Sequence, residues 1–384
     1  MLDKNLCILP WISLYIRADG NIYPCESVAW QGDDYLLGNL NTTTLEEAWN
    51  HDMMKKLRLK VITNSTCELS NEEKNSCMYL INHSLYEDVY KNYKNETKSD
   101  GSYKVDIKAL FLERSNLCNL QCLYCCDVSS SSWERKNKTN IMKISDTVYD
   151  LKVLPITNNL RELFLSGGEP VINKYNKKLL QHLINHNPNI ELGMATNLTY
   201  NFELYEEFFS LLEKFNNTKV FCSVDSSETR HDFIRINSNW NTVKTNLNKL
   251  KNYKVRIYFN SVISLLSAFY LKEFHETLIN MKIIGIDGIR YINLTGPEEL
   301  CIQSLSFNKK KELKEYLISY INFLKENENL SNNIDLYPNN NKPSQAADNI
   351  IKFLFKKLGN NNYIDNLSKF VSIDTIKKHF DRLL

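Results

Sequence analysis

Three cysteines stand close together at Cys118, Cys122 and Cys125, with the spacing CxxxCxxC. Three thiolates on one short loop can bind three irons of a [4Fe–4S] cluster, and a fourth cysteine normally completes the set. If the fourth iron has no protein ligand, a small molecule can bind it. The alternative is a zinc site, which takes four ligands and usually arises from paired CxxC motifs. Cys126 stands beside Cys125 and is poorly placed for the same metal, so the spacing favours the cluster.

A second short motif, Gly167-Gly168-Glu169, follows a predicted strand at 161–165. Two glycines allow the backbone to approach a ligand closely, and the Glu169 carboxylate can accept a hydrogen bond from a charged amine. An ordinary turn between a strand and a helix is the alternative. Because the motif follows the cysteine loop and ends a strand, we favour a binding role.

The cysteine spacing, with the aromatic Tyr124 directly before the last cysteine, resembles the cluster loop of radical S-adenosylmethionine (SAM) enzymes. In that family the open iron binds the amino and carboxylate groups of SAM. One electron then cleaves SAM to methionine and a 5′-deoxyadenosyl radical, which abstracts hydrogen from a substrate. The resemblance implies that Tyr124 belongs to the SAM site and that Gly167, Gly168 and Glu169 hold the SAM amino group.

Further SAM contacts are implied by this resemblance at the ends of the third and fourth strands. Asn197 follows the third strand. Ser223 and Asp225 share one side of the fourth strand and would face the ribose and the methionyl part of SAM. Cys222 points the other way and is expected to be a buried thiol. Arg235 would pair with the SAM carboxylate, with a surface arginine as the alternative.

The fifth and sixth strands carry the last implied SAM contacts. Asn260, at the end of the fifth strand, would bind the ribose. Tyr291 and Ile292, on the sixth, would hold adenine through backbone and apolar contacts. His231 lies in a polar stretch and is predicted to be solvated rather than catalytic.

Short apolar runs alternate with helical stretches from Lys104 onward. The predicted strands are 105–112, 161–165, 190–195, 219–224, 254–261 and 287–293. The predicted helices include 172–186, 201–215, 239–252 and 267–281. This alternation predicts parallel strands with right-handed crossovers, hence an α/β fold. Six units over residues 104–300 predict an open, partial (β/α)6, TIM-like barrel, with its chemistry at the carboxyl ends of the strands.

The first hundred residues contain four more cysteines, Cys7, Cys25, Cys67 and Cys77. An alternating segment at 11–17, a turn and a returning strand predict a hairpin that brings Cys7 and Cys25 together. Capping boxes beginning at Thr44 and Ser70 predict two helices, the second holding Cys77. Residues 1–95 are therefore expected to form a small α+β domain, which a polar linker joins to the barrel.

This N-terminal segment resembles the auxiliary-cluster region called SPASM, or its shorter form, twitch. The matching residues are Cys7, Pro10-Trp11, Asp19-Gly20, Tyr23-Pro24-Cys25, Leu37-Gly38-Asn39-Leu40 and Leu45-Glu46-Glu47-Ala48-Trp49. The interval between Cys67 and Cys77 is longer than the close pair expected in that family. The resemblance implies one auxiliary [4Fe–4S] cluster on the four cysteines, and two clusters in the whole chain. A structural zinc is the alternative, because four thiolates also bind zinc well.

Composition excludes several other classes of protein. The chain has 384 residues and a net charge of +2, which gives no bulk electrostatic reason to expect nucleic-acid or membrane binding. No apolar run is long enough to span a bilayer, and the N-terminus does not read as a signal peptide. Clustered cysteines then indicate metal sites in a cytoplasmic protein. Residues 301–384 are predicted to form helices that pack on the barrel.

Cys301 is a further candidate, because it follows the sixth strand near the expected mouth of the barrel. Some radical SAM enzymes that invert a peptide stereocentre need a thiol to return a hydrogen atom, and an exposed thiol there could do so. A buried, inert thiol is the alternative, since free cysteines are commonly buried.

The sequence therefore predicts a radical SAM enzyme that abstracts hydrogen from a substrate. The resemblance makes a peptide the favoured substrate, because enzymes with such auxiliary domains often modify ribosomally made peptides. The same chemistry on an amino acid or sugar derivative is one alternative, and a non-catalytic iron–sulfur or zinc sensor or scaffold is another. The resemblance also implies an external one-electron donor such as flavodoxin or ferredoxin.

Overall fold

A nine-stranded mixed sheet runs through the part of the chain that the computed structural model describes, residues 6–30, 32–64, 83–328, 343–355 and 378–380. In chain order the strands are β1 (Ser13–Ile16), β2 (Asn21–Tyr23), β3 (Gly38–Asn39), β4 (Ala109–Glu113), β5 (Gln121–Cys122), β6 (Glu162–Ser166), β7 (Glu191–Thr196), β8 (Asn217–Ser223), β9 (Arg235–Ile236), β10 (Arg256–Ile263) and β11 (Ile289–Asn293). The order in the large sheet is β11-β10-β8-β7-β6-β4-β1-β2-β3, and β5 pairs separately with β9.

Helices connect these strands. In chain order they are α1 (Glu26–Ala29), α2 (Leu45–Trp49), α3 (Asp52–Asn64), α4 (Glu87–Glu96), α5 (Ser131–Asn137), α6 (Asp146–Lys152), α7 (Leu154–Thr157), α8 (Lys174–His186), α9 (Glu206–Leu212), α10 (Glu228–Ile234), α11 (Trp240–Leu250), α12 (Leu271–Asn280), α13 (Phe307–Glu326) and α14 (Pro343–Leu354). Short 3-10 segments lie at Leu9–Trp11, Asp33–Tyr35, His83–Tyr86, Pro170–Ile172, Phe202–Tyr205, Ala268–Tyr270, Glu298–Leu300 and Ile302–Ser304.

Six of the strands form the parallel core that the sequence predicts: β4, β6, β7, β8, β10 and β11. All six predicted strands are confirmed, although β4 begins at Ala109 rather than at 105. Every residue of β4 is buried, as expected for a parallel strand that is covered on both faces. The fold is α/β as predicted, and the sheet of the described residues is open rather than closed into a barrel.

The N-terminal hairpin joins this core sheet. β1 and β2 pair antiparallel, as predicted, with Tyr15 opposite Tyr23. β1 also lies parallel to β4, with Tyr15 opposite Phe111. One hydrophobic cluster includes residues of both segments, such as Trp11 and Leu163. The sequence did not predict this pairing, which makes the N-terminal strands an extension of the core.

The helix predicted from Thr44 is two helices, α2 and α3. The predicted capping box is confirmed, because the Thr44 hydroxyl accepts a hydrogen bond from Glu47 N and the Glu47 carboxylate accepts one from Thr44 N. Asn50, between the two helices, is bound to Tyr103: its Nδ2 donates to Tyr103 O and its Oδ1 accepts from Tyr103 N, both at 3.0 Å. The second predicted capping box and its helix lie outside the described residues.

The C-terminal helices α13 and α14 contact each other, and α14 also contacts β11. They bury a second hydrophobic cluster that includes Leu313, Leu317 and Tyr320. α14 replaces the helix predicted at 346–358, and only residues 378–380 of the helix predicted at 373–383 are described. Among the described helices, none combines the length and the apolar character that crossing a bilayer requires.

Candidate functional site

The cysteine loop connects β4 to α5, and the first turn of α5 holds it in place. The hydroxyl of Ser130, the N-cap of α5, donates to Leu120 O at 2.7 Å and accepts from Trp133 N. The Trp133 indole donates to Cys122 O at 3.0 Å. These bonds from the helix to the loop backbone fix the loop through the protein itself.

The three thiols of the loop share one cavity of about 240 Å³. Cys118, Cys122 and Cys125 line it, whereas the exposed Cys126 does not. Burial raises the pKa of all three thiols, that of Cys118 to about 12, because a thiolate would lose its hydration there. Among the residues that the structure describes, no three His, Cys, Asp or Glu side chains are close enough to hold one metal ion; in a cluster, each thiolate binds a different iron.

Nitrogen donors reach two of the sulfur atoms. Leu120 N lies 3.5 Å from Cys118 Sγ, and the Asn197 amide nitrogen lies 3.9 Å from the same sulfur. Arg235 Nη1 lies 3.7 Å from Cys122 Sγ. Such donors stabilise sulfur when it carries negative charge, as metal-bound thiolates do.

The two glycines of the Gly-Gly-Glu motif allow the turn after β6 to touch the cysteine loop. Gly167 and Gly168 have φ values of +73° and +51°. A Cβ on Gly167 would lie 2.3 Å from Glu113 Cβ, and a Cβ on Gly168 would lie 2.3 Å from Leu117 O. The sequence analysis predicted that these glycines let the backbone approach a ligand. In the structure, they let the turn after β6 approach the cysteine loop and the end of β4.

Glu169 is 1% exposed and lines the cavity. Its carboxylate accepts hydrogen bonds from Asn197 N at 2.6 Å, from the Thr196 hydroxyl at 2.9 Å and from Val171 N at 3.2 Å. Burial raises the pKa of Glu169 to about 7, although the three donors act against that shift. A cation in the cavity would favour the ionised carboxylate, whose orientation the donors already fix.

Arg235 and Asp225 form a buried ion pair, with Nε to Oδ2 at 2.8 Å and Nη2 to Oδ1 at 3.1 Å. The Tyr124 hydroxyl and Val262 N donate to the same carboxylate. The backbone of Arg235, in β9, lies opposite Cys122 in β5. The sequence predicted a SAM contact for each member of this pair, and the structure shows each bound to the other.

The remaining predicted contacts differ in whether they line the cavity. Ser223, at the end of β8, lines the cavity. Asn260 is its register partner on β10, and the buried Oδ1 of Asn260 has no hydrogen-bond partner among the described residues. Tyr291, on β11, bonds through its hydroxyl to that of Tyr320. Neither Asn260 nor Tyr291 is part of the lining.

Glu113 lines the same cavity and was missed by the sequence analysis. It is the last residue of β4 and is held from the N-terminal segment, because the Tyr15 hydroxyl donates to Oε1 at 2.6 Å and Ala18 N donates to Oε2 at 3.2 Å. Burial raises the pKa of Glu113 to about 7. Its place at the carboxyl end of the first core strand was the signal that could have identified it.

Residues 112–279 match the family model of the radical SAM superfamily, and residues 7–78 match SPASM, an iron–sulfur cluster-binding domain. The chain belongs to the radical SAM superfamily. It is thus a radical SAM enzyme rather than a non-catalytic scaffold, and the two family matches imply SAM and iron–sulfur clusters as its cofactors.

Several known proteins are similar to this radical SAM enzyme. An uncharacterised protein of Methanocaldococcus jannaschii is 26% identical in an alignment of 242 positions that covers 60% of this chain and 73% of the relative. The GTP 3′,8-cyclase of Sulfurimonas denitrificans is 28% identical over 96 residues, 25% of this chain and 29% of the cyclase, so the match spans less than a third of that relative. The solved structure of native anSMEcpe with bound AdoMet and Cp18Cys peptide is 18% identical with a TM-score of 0.43, over 72% of this chain and 87% of that one.

The cavity residues are suited to the cofactors of the radical SAM family. Three cysteines line the cavity. A four-iron cluster bound to them would have one iron that none of these cysteines binds. The sulfur atoms already receive nitrogen donors, and the ionisable Glu169 faces the same space.

Two expectations for single side chains are wrong. Cys301 is fully buried, and its thiol donates to Pro297 O at 3.4 Å, so it is not the exposed thiol that returning a hydrogen atom would require. His231 is also fully buried rather than solvated. Its Nε2 is paired with the Ser238 hydroxyl at 2.9 Å, and burial lowers its pKa to about 3. Cys222 is buried as expected.

The SPASM segment is described in part. Cys7 and Cys25 both belong to the main hydrophobic cluster or pack against it. The Ser13 hydroxyl contacts Leu9 O at 3.1 Å and Pro24 O at 2.9 Å, so the segments that carry these cysteines lie side by side. Cys67 and Cys77 lie outside the described residues. The auxiliary ligand set stays a prediction.

Proposed function

We propose that this radical SAM enzyme binds a [4Fe–4S] cluster through Cys118, Cys122 and Cys125 and binds SAM in the cavity beside it. Bound together, these cofactors supply a 5′-deoxyadenosyl radical that abstracts hydrogen from a substrate. The observation that carries the proposal is that one cavity is lined both by these three thiols and by the Gly167-Gly168-Glu169 turn.

Glu169 would hold the SAM amino group. Its carboxylate is fixed by three protein donors, and it is one of two acidic residues in the lining. Asn197 connects Glu169 with the cysteine loop, because its backbone N donates to the Glu169 carboxylate and its side-chain amide lies near Cys118 Sγ. Tyr124 and Ser223 line the same space and would contact SAM there.

The test is SAM cleavage by anaerobically reconstituted, reduced protein. We expect slow formation of 5′-deoxyadenosine without substrate, and its loss in Cys122→Ala. Cys126→Ala is the matched control, because this exposed neighbour does not line the cavity and should keep the activity. An iron-loaded wild type that forms no 5′-deoxyadenosine would contradict the proposal.

We also propose an auxiliary [4Fe–4S] cluster on Cys7, Cys25, Cys67 and Cys77. The SPASM match and the adjacency of the segments carrying Cys7 and Cys25 support it. Reconstituted protein should then bind about eight irons per chain, and a variant with Ala at the three loop cysteines should keep about half of them. One cluster together with one zinc would overturn this assignment.

A peptide is the favoured substrate, and a small metabolite such as an amino acid or sugar derivative is the alternative. The SPASM match supports a peptide, because enzymes with such auxiliary domains often modify ribosomally made peptides. The match to the GTP 3′,8-cyclase of Sulfurimonas denitrificans covers 25% of this chain, so the substrate in its name is not carried over.

The substrate class can be tested by co-expression with short peptides encoded next to the gene, followed by mass spectrometry. A mass change that depends on Cys122 would support a peptide, whereas stimulation of 5′-deoxyadenosine formation by GTP would contradict it. An external one-electron donor completes the proposal, and reduced flavodoxin or ferredoxin should replace dithionite in the cleavage assay.

A further inference from the structure

Arg235 is built into the cysteine loop by its backbone as well as its side chain. β9 pairs antiparallel with β5, which places Arg235 opposite Cys122. Next to this pair, Leu123 N donates to Ile234 O at 3.0 Å. The Arg235 side chain is 8% exposed, so its guanidinium belongs to the protein interior.

All three nitrogens of the guanidinium group are in use. Nε and Nη2 bind the Asp225 carboxylate at 2.8 and 3.1 Å, and Nη1 lies 3.7 Å from Cys122 Sγ. Asp225 is fixed in turn by Val262 N at 2.8 Å and by the Tyr124 hydroxyl. Turning the guanidinium towards another anion would break a bidentate bond between buried charges, which is costly.

The three thiols differ in the donors they receive. Cys118 Sγ is approached by two neutral donors, Leu120 N and the Asn197 amide. Cys122 Sγ is approached by the charged guanidinium. Cys125 makes its hydrogen bond as a donor, to Cys126 O at 3.8 Å. A cluster on this loop would therefore lie in an uneven field, most positive beside Cys122.

We propose that Arg235 is a positioning residue that raises the reduction potential of the loop cluster by donating to Cys122 Sγ, and that Asp225 holds it in that orientation. It would thus serve the cluster thiolate rather than the SAM carboxylate. Reduction adds negative charge to a cluster, and a nearby N–H donor on sulfur favours the reduced form. The Asp225 carboxylate offsets part of the arginine charge, so the effect is local to the sulfur that Nη1 faces.

This inference rests on the cluster assigned to the loop under the proposed function, and the experiment separates the two. Iron content and 5′-deoxyadenosine formation by the wild type test the cluster itself. The Arg235 role is tested by the midpoint potential of the loop cluster, measured by an EPR-monitored titration without SAM. The loop signal is identified as the one absent from the variant with Ala at Cys118, Cys122 and Cys125.

Arg235→Gln should lower the potential. At the wild-type midpoint, the ratio of reduced to oxidised cluster should fall about tenfold, which corresponds to about 59 mV for a one-electron couple. Arg235→Lys keeps the charge but loses the planar fork, so its potential should lie between those of the wild type and Arg235→Gln. Arg114→Gln is the matched control, since Arg114 is a buried arginine paired with Asp146 that has no bond to a loop sulfur. This control should leave the potential unchanged.

A second variant keeps the inference testable if Arg235→Gln does not fold. Arg235→Lys keeps a positive charge beside Asp225 but removes the Nη1 donor to Cys122 Sγ, so its potential should still lie below that of the wild type. A potential that stays constant in the Arg235 variants, while SAM binds at least tenfold more weakly, would overturn the proposal and assign Arg235 to the SAM carboxylate. A potential in Arg235→Lys above that of the wild type would also overturn it.

Discussion

Gly167 and Gly168 bring three parts of the site into contact. Both have positive φ, and both face atoms that a side chain would strike, the Glu113 side chain in one case and the Leu117 carbonyl in the other. The same turn is tied to the cysteine loop by Glu169 N, which donates to Leu117 O at 2.7 Å. At this position, glycine sets the distance between the loop that carries the thiols and the turn that carries the carboxylate.

Gly168→Ala should destabilise the protein and reduce its iron content. The positive φ alone costs roughly 1–2 kcal/mol for an L-residue, and the contact with the Leu117 carbonyl, 2.3 Å from the new Cβ, adds to that cost. Gly32→Ala is the control for backbone strain without a contact, because Gly32 has φ +97° but, among the described residues, no atom within 4 Å of its Cβ position. Chemical denaturation should show a loss of stability in both variants, whereas only Gly168→Ala should lose iron. Equal losses of iron would contradict the role of the contact.

His231 should make the protein sensitive to mild acid. Burial, and then the charge of Arg235, lower the pKa of His231 to about 3. Between its unfolded pKa of about 6.5 and that value, the unfolded chain binds a proton that the native state does not. The free energy of unfolding should therefore fall with falling pH by up to about 1.4 kcal/mol per unit from this group.

The measurement is urea denaturation of wild type and His231→Gln between pH 6 and pH 4.5. The variant should show a shallower decline than the wild type. His51→Gln, at an exposed position directly before α3, is the control and should keep the wild-type slope. A parallel decline in wild type and His231→Gln would show that His231 takes up its proton in the folded state.

β1 and β4 are connected by a hydrogen bond as well as by strand pairing. The Tyr15 hydroxyl reaches across from β1 to the Glu113 carboxylate at 2.6 Å. Tyr15 and Glu113 are 1% and 6% exposed, so neither exchanges this partner for water. The first strand of the SPASM segment thereby holds a carboxylate of the radical SAM cavity.

Tyr15→Phe should cost more stability at pH 8 than at pH 6. Burial raises the pKa of Glu113 to about 7, so the carboxyl group is neutral at the lower pH and ionised at the higher. A hydrogen bond to a charged group is worth about 1.5–3 kcal/mol, against about 0.5–1.5 kcal/mol for a neutral one. Denaturation at both pH values measures the difference.

The control for Tyr15→Phe is Tyr205→Phe, at a half-buried tyrosine whose ring packs edge-to-face on Tyr200. Its effect should be the same at both pH values. If Tyr15→Phe lowered the free energy of unfolding by the same amount at pH 6 and pH 8, the prediction would be wrong. The Glu113 carboxyl group would then keep one protonation state between these two pH values.

The sequence predicted the elements and motifs that depend on local patterns. The six core strands follow from apolar runs, the Thr44 capping box from four adjacent residues, and the cysteine loop from its spacing. Burial of His231 and Cys301 depends on which face of a segment packs against distant residues, and local composition does not encode that. For the same reason the Arg235–Asp225 pair could not be foreseen, since each residue alone suggests a contact with SAM.

In the described part of the molecule, one nine-stranded sheet contains both the N-terminal strands and the core strands. The sequence predicted a domain at 1–95 and a barrel at 104–300. β1 bridges these two ranges by pairing with β4, and the main hydrophobic cluster includes Trp49 from the first and Val243 from the second. Strand pairing between residues so far apart in the chain leaves no local signal in the sequence.

The described N-terminal segment and core should therefore unfold together. The chain has five tryptophans, of which Trp49 and Trp240 are buried in the same cluster on either side of the β1–β4 junction. Labelling with 5-fluorotryptophan, with resonances assigned by single Trp→Phe substitutions, would follow both sites in one urea titration. We expect coincident transitions. A Trp49 transition at clearly lower urea than that of Trp240 would show that the N-terminal segment is a separate folding unit.

The β1–β4 pairing also has a consequence during synthesis of the chain. β1 and β2 can form their hairpin early, but the edge of β1 that β4 will occupy stays open until about a hundred more residues have been made, which takes about 5–20 s at typical translation rates. An open strand edge is a template for pairing with other chains. Chaperone binding to this edge, or slow translation between β3 and β4, would thus govern how much of the newly made enzyme folds instead of aggregating.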